Sequence, residues 1–180
     1  MDHTELSESC VLKRTDKFTF PFSHPLKVIN LGASWLDLDL CLFYKRKDGR
    51  SGGIFPSEYR NCKTDTGSID HFPYMYLYGE SLPSDGDSEV AIINRVDEID
   101  EIFVCIINYN ATIEGEEDFL FSQDVCRLEI RNSEGINVNV LPEPIHSGCI
   151  CLLCTIKNRD NEITLKNESK AISVSSAFEK

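Results

Sequence analysis

Leu36, Leu38, Leu40 and Leu42 fall on every second position of WLDLDLCLFY, residues 35–44, the period of a strand with one face in a core. In CRLEIR, Cys126, Leu128 and Ile130 point one way while Arg127, Glu129 and Arg131 point the other, and Ile136, Val138 and Val140 repeat the alternation. Such stretches are short and separated by polar punctuation, and no long segment carries a helical period. The pattern predicts strands over 17–20, 26–32, 36–44, 52–55, 74–78, 89–95, 102–109, 124–131, 136–141, 149–156, 162–166 and 171–174. Turns are expected at Lys47-Asp48-Gly49, Ser84-Asp85-Gly86, Asn132-Ser133-Glu134-Gly135 and Arg159-Asp160-Asn161. The acidic cluster from Asp97 to Glu101 suggests a helical turn around Ile99, and the one from Glu114 to Asp118 a loop.

Two packed, mainly antiparallel sheets account for this pattern, so the expected fold is an all-β sandwich. No repeat or linker divides the chain, and residues 1–180 read as one domain whose polar ends, 1–8 and 175–180, are expected to fray.

Charge narrows the partners. A formal net charge of -12 repels a nucleic-acid backbone or an anionic membrane surface and suits a cation. No apolar run reaches the roughly 20 residues that span a bilayer, so no direct membrane insertion is expected. The chain has eight cysteines, but MDHTELSESC shows neither a basic n-region nor an apolar h-region, and a reducing, cytoplasmic setting is expected. The Asn-x-Ser/Thr triplets at Asn110 and Asn167 then read as chance.

The polar face of the leucine strand poses the chemical question. In an extended strand Asp37 and Asp39 share a face about 6.5 Å apart, and two carboxylates aimed together are tolerable in water, with one protonated, or around a cation. A second acidic group, Asp85, Asp87 and Glu89, alternates in SDGDSE. Hard oxygen donors in this number favour calcium over magnesium, because calcium accepts irregular oxygen shells. The group is not an EF-hand: with Asp85 as the first ligand, Val90 and Val96 fall where the glycine and the bidentate glutamate belong. The competing reading is solvated acids on turns and a strand end, with no ion.

Taken in order, Trp35, Asp37-Leu38-Asp39-Leu40-Cys41, Tyr44, the Lys47-Asp48-Gly49 turn, Pro73-Tyr74, Leu77, Gly79-Glu80, Asp85-Gly86 and Glu89 resemble the tellurium-resistance TerD superfamily of bacterial stress proteins, in its TerA-like branch. The likeness runs from about Leu12 to Ile163. It implies a non-enzymatic β-sandwich with calcium bound by acidic loops at one end. By position the ligands are Asp37, Asp39, Asp85, Asp87 and Glu89, with Glu80 where such proteins usually carry Gly-Asp. It also implies partners among other Ter-type proteins, including a membrane-bound complex that would hold the chain at the inner membrane from the cytoplasmic side. The alternative is a metal-free interaction scaffold of a stress-response complex.

An enzyme is not expected. His3, His24, His71 and His146 are scattered, and no nucleophile elbow, phosphate loop or His-Glu-x-x-His pattern is present. His71, before a strand, could approach the acidic end but reads as a hydrogen-bonded loop histidine rather than a ligand. In Cys149-Ile150-Cys151-Leu152-Leu153-Cys154 a regular strand puts Cys149 and Cys151 on one face and Cys154 on the other, the spacing of small core residues rather than of a thiolate site.

Overall fold

A computed structural model describes residues 9–33, 35–56, 63–78 and 89–172. In chain order the elements are β1 (Ser9–Leu12), β2 (Lys17–Pro21), β3 (Leu26–Asn30), β4 (Leu38–Arg46), β5 (Ser51–Ile54), β6 (Gly67–Ser68), β7 (Met75–Tyr78), β8 (Glu89–Ile93), β9 (Ile99–Asn108), α1 (Tyr109–Glu114), β10 (Leu128–Arg131), β11 (Asn137–Val140), β12 (Ile150–Arg159) and β13 (Glu162–Ile172). They form a seven-stranded sheet ordered β1-β11-β10-β3-β8-β7-β6 and a six-stranded sheet ordered β2-β13-β12-β9-β4-β5. Every pairing is antiparallel except β1 with β11. This is an all-β sandwich.

The alternating leucines do what their period dictates: Leu38, Leu40 and Leu42 of β4 enter the core between the sheets, with Val104 and Ile106 of β9 and Val28, Ala91 and Leu128 from the opposite sheet. Cys126, Leu128, Ile130, Val138 and Val140 join them, as their alternation requires. The other face of the six-stranded sheet holds a second apolar cluster of Cys41, Phe55, Cys105, Ile107, Ala111, Cys149 and Ile150. Ala111 brings α1 onto this outer face. Asn108 caps the helix by accepting the Ala111 N–H at 3.1 Å, and Gly115 ends it at φ 75, a conformation that favours glycine.

Several expectations need correction. Ile99 opens β9 rather than centring a helical turn, because its side chain enters the core. The segment 162–166 and residues 171–172 of the expected strand 171–174 belong to one strand, β13, with 173–174 outside the described residues; β13 is joined to β12 through Asp160 and Asn161, both at positive φ as a tight two-residue hairpin needs. The cysteine parity is also inverted. A register shift between Leu152 and Cys154 inserts a bulge, which turns Cys154 to the same inner core as Cys151, while Cys149, ahead of β12, packs in the outer cluster. β1, β6 and α1 were not foreseen. The ends 1–8 and 175–180 lie outside the described residues.

Candidate metal centre

The acidic end is built where β5 stops short. β5 pairs with β4 only from Leu42 to Lys45, so among the described residues no strand lies beside this edge of β4 ahead of Leu42. Side chains from the opposite sheet take the place of that strand. Asn30 and Glu89 face each other across β3 and β8. Asn30 donates Nδ2 to the carbonyl of Leu38 at 3.1 Å, and Glu89 accepts the backbone N–H of Leu40 through Oε2. Two otherwise unpaired edge groups are thereby satisfied, and the two sheets are tied at this end.

This arrangement places Glu89 beside the leucine-strand aspartates. Burial pushes its carboxyl up to about 8; the Leu40 hydrogen bond opposes the rise, the charges of Asp39 and Asp37 add to it, and a hydrogen bond from Asn30 opposes it. The charges of Asp39 and Asp37 thus act on Glu89 from the side of the opposite sheet. Asp37 and Asp39 are not equivalent, however: Asp37 precedes β4 and is exposed, whereas Asp39 is buried within it. Glu80, Asp85 and Asp87 lie outside the described residues.

The fit to a hard cation is partial. Asn30 is buried, and its Oδ1 has no hydrogen-bond partner, so a further oxygen donor stands unsatisfied beside Glu89. Among the described residues no three His, Cys, Asp or Glu side chains converge closely enough to hold a metal ion. Of the described residues, a calcium shell here would draw on Asp37, Asp39, Glu89 and Asn30. Asn30 was missed in the sequence, although a signal was present: it continues the inward series Leu26, Val28 as a polar residue at a core position.

His71 lies away from this site. Its N–H donates to Ser68 Oγ at 3.1 Å in the turn before β7, at the Met75–Ile93 end of the β7–β8 pair, whereas Glu89 is at the other end. The described cysteines are all free thiols, and burial pushes Cys105, Cys126 and Cys154 up to about 12. They have the character of core residues.

No family model, no curated protein and no solved structure matches the chain. Among the described residues no helix is long and apolar enough to cross a membrane.

Proposed function

We propose that the protein is a non-enzymatic, calcium-binding β-sandwich module of the tellurite-resistance stress-response type, whose acidic end takes up Ca2+ and organises contacts with Ter-type partner proteins. The supporting observation is that acid charges bear on one group across the sandwich: Glu89 comes from one sheet, Asp39 from the other and Asp37 from just ahead of β4, and both aspartates raise the Glu89 carboxyl. Like charges brought together on a folded scaffold favour uptake of a proton or a cation. The orphaned Asn30 Oδ1 adds a neutral oxygen of the kind calcium accepts. The stress-response context, the Ter-type partners and work in the cytoplasm, reaching a membrane only through those partners, rest on the motif resemblance.

Calorimetric titration with calcium and with magnesium tests this reading, on the wild type and on Asp37→Ala, Asp39→Ala and Asp85→Ala. Saturable calcium binding that each substitution weakens is expected, with magnesium binding weaker. Absence of calcium binding would overturn it.

A specific observation favours a second reading, a metal-free scaffold. Glu89 already accepts the Leu40 N–H and a hydrogen bond from Asn30, so its carboxyl has a structural use as a clasp between the sheets. In that case the remaining acids serve solubility, and calcium leaves stability unchanged.

A further inference from the structure

We infer that the surface carrying Trp35, Ile113 and Leu120 docks a cationic amphipathic segment of a partner protein. This deepens the partner-binding half of the function proposed above and does not require the cation.

The three side chains are 73, 60 and 56% exposed. Hydrogen bonds join the two segments that carry them. The segment ahead of β4 is hydrogen-bonded to the stretch 109–125, which leads from β9 towards β10. The two are tied at both ends, by Tyr109 N–H to the Asp37 carbonyl at 3.0 Å and by Ala33 N–H to the Val125 carbonyl at 2.8 Å. Trp35 lies between the ties on one stretch, and Ile113 and Leu120 lie between them on the other.

The display is held from beneath. Ala111 is anchored in the outer cluster and Phe121 in the core between the sheets, while Phe119 packs edge-on against Phe121 at 4.9 Å. The carbonyl of Phe119 also accepts the Gly148 N–H at 2.7 Å. Ile113 and Leu120 are therefore presented outward by a backbone whose neighbouring residues are fixed, which lowers the ordering cost of binding. An exposed tryptophan with aliphatic neighbours is the composition of an interface anchor rather than of ordinary surface.

Charge identifies the occupant. The ionisable side chains of these two stretches besides Tyr109 are Asp37, Glu114, Glu116, Glu117, Asp118 and Asp124, and neither stretch contains a lysine or arginine. Nucleic acid and anionic lipid are repelled, and so is the same surface on a second copy. A partner segment with large apolar residues on one face and Lys or Arg beside them satisfies both features. Its apolar face covers Ile113 and Leu120, its cations meet the acids, and one of them can lie over the Trp35 ring.

Trp35 is the only tryptophan, so its fluorescence reports the docking directly. The probe is a helical peptide of about 18 residues with leucine and lysine at amphipathic spacing. The comparisons are a glutamate-for-lysine peptide and a scrambled lysine–leucine peptide, all in chelator so that this result and the calcium titration can fail separately. Expected are a saturable blue shift with the cationic amphipathic peptide alone and affinity reduced about tenfold or more by Ile113→Ser with Leu120→Ser. Glu116→Lys with Glu117→Lys should reduce it similarly, while Val11→Ser, at an exposed position on β1 at the edge of the seven-stranded sheet, leaves it unchanged. Circular dichroism checks that each variant folds. Equal binding of the scrambled peptide, equal binding by the variants, or no blue shift would overturn the inference. So would concentration-dependent dimerisation abolished by Ile113→Ser with Leu120→Ser, which would assign the surface to a second copy.

Discussion

Glu89, on the seven-stranded sheet, accepts the backbone N–H of Leu40, on the six-stranded sheet, at the point where β4 runs past the end of β5. A carboxyl that clasps two sheets while sharing an acidic neighbourhood with Asp37 and Asp39 gives stability and charge a common residue. Replacing Glu89 by alanine leaves the Leu40 N–H without its acceptor. At pH 5 this should cost about 1–3 kcal/mol in denaturant unfolding, whereas Glu89→Gln, which keeps an acceptor, should cost less.

The same residue predicts a pH dependence. The Glu89 carboxyl rises from 4.5 to about 8 on folding, so the folded protein holds a proton that the unfolded chain releases. The resulting stability is present in full below about 4.5, falls as pH rises, and is lost above about 8. Within that window the slope contributed by this group is up to about 1.4 kcal/mol per pH unit. Unfolding measured from pH 5 to 9 should show stability falling in the wild type and a flatter profile in Glu89→Gln. Identical profiles would remove Glu89 as the source.

Four buried thiols should be inert in the folded protein. Burial raises Cys105, Cys126, Cys151 and Cys154, leaving almost no thiolate at neutral pH. With a disulfide-exchange reagent at pH 8, these four should react only on unfolding. Rapid native reaction would instead support thiol or metalloid chemistry.

At another junction of the sheets, Asn167 of β13 donates Nδ2 to the carbonyls of Leu12 at 2.8 Å and Leu141 at 2.7 Å, and accepts Ser169 Oγ at 2.6 Å. Asn167 is fully buried, so truncation takes a donor from carbonyls on two segments and the acceptor from Ser169 Oγ. Asn167→Ala should lose about 2–4 kcal/mol by chemical denaturation. A loss within error of zero would show that water replaces the amide.

Period-two patterning made the sandwich legible because each strand has one buried face: the leucines of β4 and the series Cys126, Leu128, Ile130 point as written. Parity failed at Cys154 because a bulge adds one residue to β12, which nothing in its apolar run marks, and at Cys149 because it lies ahead of the strand. Ile99 misled because surrounding acids hid a strand start. The candidate site was half legible. Acid clustering pointed to Asp37, Asp39 and Glu89, but the clasp depends on where β5 ends and on Asn30 facing Glu89, both set by strand pairing rather than local sequence.

The central claim, that Glu89 belongs to a calcium site, is tested most directly by counting protons. Calorimetry at pH 7 in buffers of different ionisation enthalpy gives the protons released per calcium bound. With its carboxyl near 8, Glu89 is mostly protonated at that pH, so the wild type should release close to one proton per calcium and Glu89→Gln close to none. Calcium binding with the same proton release in both proteins, or no binding in either, would contradict the account.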